Sequence, residues 1–152
     1  ARGVFWLNKL TSVTIPNSVT HIGNSAFLSN ELQNITIPDS VRDIGGSAFS
    51  FNYLVEVKIP GSVCTIGNGA FGNNPEPDHG YPTLTSVEIP DNVSLGDYVF
   101  ERGVNITTIT IGSNVTLGSN LVDYNDEFKN AYDSGTGGKG TYDRVGANWV
   151  KR

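Results

Sequence analysis

The sequence predicts a β-rich solenoid of parallel strands, with about five repeats, a partial repeat before them and a small C-terminal cap. Three observations predict it. Apolar residues recur at a fixed spacing: Leu10, Leu32, Leu54, Leu84 and Ile106 stand at steps of 22, 22, 30 and 22 residues. The aliphatic residues are mainly β-branched, with 26 Val and Ile against 9 Leu, and branching at Cβ suits a pleated strand better than a helix. Glycine makes up 18 of 152 residues, against a usual share of ~7%, as befits a chain that turns often. One such unit cannot bury its apolar face alone, and stacking it on copies at ~4.8 Å per strand does so.

Each element of the repeat has a physical reading. The opening ARGVFWLNK matches the tail of a repeat, with Val4-Phe5 where Ala26-Phe27 stands. Three copies follow: LTSVTIPNSVTHIGNSAFLSNE, LQNITIPDSVRDIGGSAFSFNY and LVEVKIPGSVCTIGNGAFGNN. After an insertion come LTSVEIPDNVSLGDYVFERGVN and ITTITIGSNVTLGSNLVDYN. The alternation in LxxVxIP predicts half-buried strands centred on Val13–Ile15, Ile35–Ile37, Val57–Ile59, Val87–Ile89 and Ile109–Ile111, apolar side chains inward. Pro16, Pro38, Pro60 and Pro90 end them, because proline cannot donate to a ladder. A second apolar pair follows, Val19 with Ile22 in the first copy. Gly23, Gly45, Gly67, Gly96 and Gly118 close this segment at a turn expected to need an unusual backbone. Phe5, Phe27, Phe49, Phe71 and Phe100 occupy one equivalent position and read as a core spine rather than an aromatic ligand box. Asn8, Asn30 and Asn52 precede the leading Leu by two and suit buried loop satisfaction. Pro82 and Val104 replace them later, so the asparagine ladder is expected to stop.

The pattern LxxVxIPxxVxxIGxxAF closely resembles the BspA-like, or treponemal-type, leucine-rich repeats of bacterial surface proteins, across roughly residues 1 to 122. The ending FKNAYDSGTGGKGTYDRVGANW is similar to the cap that follows such repeats. The resemblance implies a leucine-rich-repeat solenoid at residues 1–125 and a capping segment at 126–152. It also implies adhesion to a protein ligand, such as a host extracellular protein, and a location outside the cell or on the bacterial surface, with the periplasm as the alternative. The fifth copy departs from the pattern, with Gly112 in place of proline and Leu121-Val122 in place of Ala-Phe.

In the C-terminal segment, Phe128, Ala131 and Tyr132 fall on one helical face, with Asn125 or Asp126 as the cap. Thr141 to Arg144 and Trp149 to Arg152 are spaced to pair as a hairpin across Val145 to Asn148. A solenoid needs such a lid, since its last coil otherwise exposes apolar ladders and free strand edges.

Charge and chemistry narrow the function. A net charge of −5 with scattered basic residues does not fit a nucleic-acid partner, which needs clustered Lys and Arg. No apolar run approaches the ~18 to 20 residues of a membrane span. The single Cys64 falls where Thr20 and Arg42 stand, a surface position, and leaves the redox compartment open. His21 and His79 have no triad or metal spacing around them. Four matches to the glycosylation acceptor, at Asn34, Asn92, Asn105 and Asn114, fall where Asn and Thr recur in the repeat and carry little weight.

The reading is therefore a non-enzymatic protein–protein interaction module with no cofactor. Its partner face is the outward side of the first strands, with Ser12, Thr14, Asn34, Thr36, Glu56, Lys58, Ser86, Glu88, Thr108 and Thr110. The insertion Asn74 to Thr83, NPEPDHGYPT, adds Glu76, Asp78 and Tyr81 as binding candidates, because insertions between repeats map to surface loops. Calcium held by Glu76, Asp78 and a carbonyl is the weaker use of that loop. The alternatives are a structural spacer within a larger surface protein and a threonine-array surface binder, which Lys58 and Glu88 interrupt.

Overall fold

A computed structural model describes residues 2–74, 84–103, 105–122, 126–133, 138–145 and 147–152. The chain winds into stacked coils, each carrying two short strands. The first set is β2 (Asn34–Thr36), β4 (Glu56–Lys58), β6 (Ser86–Ile89) and β8 (Thr108–Ile111). The second set is β1 (His21–Ile22), β3 (Asp43–Ile44), β5 (Thr65–Ile66) and β7 (Ser94–Leu95). Neighbours within each set pair in parallel, and the register advances by one repeat: Ile35 lies opposite Val57, Val87 opposite Ile109, and Ile44 opposite Ile66. The cap consists of α1 (Glu127–Asp133) and the antiparallel hairpin β9 (Gly140–Val145) and β10 (Asn148–Lys151). Strand β9 also pairs antiparallel with β8, so the long sheet runs β10-β9-β8-β6-β4-β2.

Burial follows the alternation in the sequence. Ile35, Ile37, Val57, Ile59, Val87, Ile89, Ile109 and Ile111 are buried, while Asn34, Thr36, Glu56, Lys58, Ser86 and Glu88 are exposed. Four of the five expected long-sheet strands form. The fifth, at Val13–Ile15, does not, and both side chains are only partly buried. Strand β1 of the same coil does form, pairing with β3 alone, so the missing strand goes with the incomplete burial of Val13 and Ile15, whereas Ile35 and Ile37 one coil on are buried. The two-residue strands of the second set were not expected from the sequence. They form at the second apolar pair, where Val41, Ile44, Val63 and Ile66 are buried.

The phenylalanines form a continuous spine. Phe5 stacks on Phe27 at 5.3 Å, Phe27 on Phe49 at 5.3 Å, Phe49 on Phe71 at 5.4 Å and Phe71 on Phe100 at 5.7 Å, all nearly parallel. Beside it runs the asparagine ladder. The Asn52 amide donates to the carbonyls of Phe27 and Phe49 at 2.9 and 3.1 Å and accepts from the Leu32 amide at 3.1 Å. Asn30 does the same one coil earlier, with Phe5 and Phe27 as acceptors and Asn8 and Leu10 as donors. Contrary to expectation, the ladder does not stop after Asn52. Asn74 accepts from Leu54 at 3.1 Å and donates to the Phe71 carbonyl. It keeps its three-residue distance from Phe71, and the inserted residues follow it.

The recurring glycines have a different cause from the one expected. None of Gly45, Gly67, Gly96 and Gly118 has a positive φ. They are required by close stacking of backbone on backbone: a Cβ on Gly67 would lie 2.5 Å from the amide nitrogen of Gly46. The left-handed residues stand two positions later, at Ser25, Ser47, Gly69, Tyr98 and Asn120.

In the cap, Phe128 is buried against the edges of Tyr142 (5.4 Å) and Trp149 (5.2 Å), and Ala131 and Tyr132 pack on the same core. Asp126 does not cap the helix as expected. Its carboxylate accepts from the backbone amide of Asn120 in the last coil, and its own backbone is left-handed, with φ of 53°. Asn125, the other expected cap residue, lies outside the described residues.

Candidate functional site

The long sheet presents two rows of outward side chains because alternate residues of each strand face away from the core. One row contains Asn34, Glu56, Ser86 and Thr108; the other contains Thr36, Lys58, Glu88 and Thr110. Register places Asn34 beside Glu56, Thr36 beside Lys58, Lys58 beside Glu88, and Glu88 beside Thr110. Three of the six predicted binding residues, Glu56, Lys58 and Glu88, are thereby gathered on two neighbouring strands.

The cap extends this face, which the sequence reading missed. Strand β9 sets Thr141 opposite Thr110 and Asp143 opposite Thr108. Their side chains touch: the Thr108 hydroxyl donates to Asp143 at 3.1 Å, and the hydroxyls of Thr110 and Thr141 lie 3.1 Å apart. The alternation Thr141-x-Asp143 within a predicted strand was the available signal. Arg152 pairs with Asp143 from the far side.

Two hollows lie along the sheet where the strands give way to the proline turns. The first, of about 870 Å3, is bounded by Thr14, Thr36, Asp39, Glu56 and Lys58. The second, of about 500 Å3, is bounded by Glu88, Asp91, Thr110 and Lys139. They share Ile59 and Gly61. Ser12 and Thr14, placed on this face from the sequence, precede the first ladder strand and belong to no strand.

Glu76, Asp78 and Tyr81 lie outside the described residues, as does His79. The two roots of the insertion are described. Asn74 is tied to the preceding coil by its hydrogen bonds, and Leu84 is buried two residues before β6. Leu84 thus stands at the edge of the long sheet where its strands begin, the edge opposite the proline turns.

The second sheet carries its own polar row. His21 Nε2 lies 2.9 Å from Asp43, its Nδ1 lies 2.8 Å from the Thr20 hydroxyl, and the Thr65 hydroxyl donates to Asp43. The His21 side chain is largely exposed, as expected of a solvated residue, and Cys64 is also exposed. Among the described residues, no three His, Cys, Asp or Glu side chains converge on a metal site, and no helix is long and apolar enough to cross a membrane.

The family comparison agrees with this geometry. The family model of the BspA type leucine rich repeat region, with 6 copies, matches residues 1–129. A crystal structure of a leucine-rich repeat protein from Bacteroides ovatus is 26% identical over 66% of this chain, with a TM-score of 0.49. The chain spans 34% of the length of that protein. No curated protein matches. With nearly the whole stack covered by the family model, from the half-coil at its start to the first turn of α1, the chain belongs to the BspA-type leucine-rich repeat family.

Proposed function

We propose that this chain is a non-enzymatic protein-binding module of a bacterial surface or secreted protein, and that it binds a protein ligand through the outward face of its long sheet. The observation that carries this reading is the contrast between the two sides of that sheet. The inward positions repeat the same apolar types in each coil, whereas the outward ones change from Asn34 to Glu56 and from Thr36 to Lys58 to Glu88. Two hollows bordered by these residues give a partner side chain a place to sit. A polar face without aromatic anchors fits a modest rather than a tight interface.

Surface plasmon resonance against extracellular-matrix and serum proteins tests the proposal, with the charge-reversed variant Lys58→Glu/Glu88→Lys in parallel. Binding that falls at least about tenfold, the effect of losing ~1.4 kcal/mol, with an unchanged melting temperature, supports the face. Full retention of binding places the site elsewhere.

A spacer role is the second reading. A chain that captures no protein partner in the same measurements favours it.

A further inference from the structure

The asparagine ladder ends at a small hollow. In each of the first three coils an asparagine three residues after the Phe rung serves backbone groups that the stacking leaves over. The amides of Leu10, Leu32 and Leu54 donate to Asn30, Asn52 and Asn74. Phe27 shows the acceptor side of the pattern, its carbonyl taking the Asn30 amide at 3.0 Å and the Asn52 amide at 2.9 Å.

The fourth coil breaks the series. Three residues after Phe100 stands Gly103, and its backbone amide, not a side chain, donates to the Phe100 carbonyl at 2.8 Å. A side chain does not fit there: a Cβ on Gly103 would lie 2.7 Å from that carbonyl oxygen and 2.6 Å from Ile106 Cδ1. Two groups that an asparagine would have served are left over. The amide of Leu84, the fourth leading residue, has no acceptor among the described residues. The Phe71 carbonyl accepts only from Asn74 among those residues, and a carbonyl has a second lone pair to offer. Leu84 is buried, and a buried amide is expected to find a partner.

Leu84 and Phe71 line one hollow together with Asn74, Phe100, Gly103 and Asn105. Its volume is about 10 Å3, the room of a single water molecule. Apolar cavities stay dry, whereas one walled by two to four polar groups holds water.

We propose that this hollow is the site of one structural water molecule, which replaces the side-chain amide of the ladder in the fourth coil. Its oxygen accepts from the Leu84 amide, as Asn52 accepts from Leu32. Its hydrogens go to the Phe71 and Phe100 carbonyls, as the Asn52 amide donates to Phe27 and Phe49. All three partners are backbone groups, so the site follows from the stacking and needs no particular side chain. Its effect is local to the insertion. Leu84 is the first described residue after the inserted segment and stands two residues before β6. The water therefore ties the returning chain to the stack and holds the start of the strand that carries Glu88.

A crystal structure of the 152-residue chain that shows ordered solvent tests the proposal. The expected result is one density peak at about 2.5–3.2 Å from the Leu84 nitrogen and from the Phe71 and Phe100 oxygens. Nuclear magnetic resonance gives an independent reading in solution. A water cross-peak is expected at the Leu84 amide and not at that of Leu54, which donates to Asn74. The double variant Thr83→Val/Thr85→Val removes the neighbouring hydroxyl protons and should leave the cross-peak in place. An empty hollow, a side chain such as that of Asn105 turned into it, or loss of the cross-peak in the double variant overturns the proposal.

Discussion

Removing one ring from the spine should cost more than removing any other single side chain of the same size. Phe49 is fully buried, and Phe27 and Phe71 sandwich it at 5.3 and 5.4 Å, tilted by only 7 and 6°. Emptying a buried phenylalanine site costs ~3–5 kcal/mol. Two aromatic contacts are lost as well, each worth ~0.5–1.5 kcal/mol beyond its buried area. The coils cannot collapse freely into the gap, because the Phe27 and Phe49 amides are held by the carbonyls of the next coils at 2.8 Å. Phe49→Ala is therefore expected near the top of the range, about 4–5 kcal/mol. For a domain of this length ~1 kcal/mol moves Tm by ~2–4 °C, so the melt should fall by roughly 8–20 °C. The control is Phe51→Ala, two residues on and 55% exposed, where the change should stay within ~0.5 kcal/mol. Circular-dichroism melts of both variants decide the matter. An unchanged Tm for Phe49→Ala, or equal losses from the two, would refute the spine.

Other perturbations test the remaining parts of the argument. Gly67→Ala should destabilise the stack although its φ is ordinary, because the new Cβ would lie 2.5 Å from the Gly46 nitrogen; a neutral or stabilising melt would show that the coils can part without cost. Removing residues 126–152 should uncover Leu117 and Leu121 and promote association, and light scattering that finds a monomer of equal stability speaks against the cap. Burial, together with the neighbouring Tyr132, raises the Tyr142 pKa above its ordinary value of 10.0. Its contribution to stability is therefore complete below that pH and is lost as pH rises through the folded-state value; a urea midpoint that declines in alkali for the parent chain but less for Tyr142→Phe is the expected pattern. Deleting residues 75–82, with Glu76, Asp78 and Tyr81, restores the 22-residue step and should weaken partner binding at nearly constant Tm, whereas a deletion that also takes Asn74 should lower the melt. Equal melts for the two deletions would remove Asn74 from the ladder.

The parts of the fold that were legible in the sequence are those that one coil repeats for one reason. The spacing of Phe27, Phe49 and Phe71 announced a spine because stacking demands the same ring at the same place. The alternation at Val57 and Ile59 announced an inward face because a strand offers only two directions. What resisted reading had causes that one coil does not contain. The recurring spacing of Gly45 and Gly67 reports how closely the neighbouring backbone approaches, and not a turn. The strand missing at Val13–Ile15 goes with the partial burial of those two side chains, which the alternation alone does not report. Asn74 was assigned to the insertion because it was counted backwards from Leu84 and not forwards from Phe71. The face was half legible: Glu56, Lys58 and Glu88 came from period-two alternation, but Thr141 and Asp143 joined them through an antiparallel pairing that no repeat template contains.

The same division bears on the proposed partner face. Within each coil the Leu, Val-x-Ile, Gly and Ala-Phe positions are committed to stacking, and a change at any of them is felt by the coils on both sides. In the proposed binding role, specificity would be written on residues that stacking does not constrain, and the outward rows of the long sheet meet that condition. Exchanging Lys58 for Glu88 alters a surface charge and leaves Val57, Ile59, Val87 and Ile89 in place beneath it. The hairpin cap widens the same surface, because pairing β9 to β8 carries the rows on to Thr141 and Asp143 with their own hydrogen bonds. A module built in this way separates the energy of folding from the chemistry of recognition, so variants on the outward face should alter binding without altering the melt, and variants on the spine should do both.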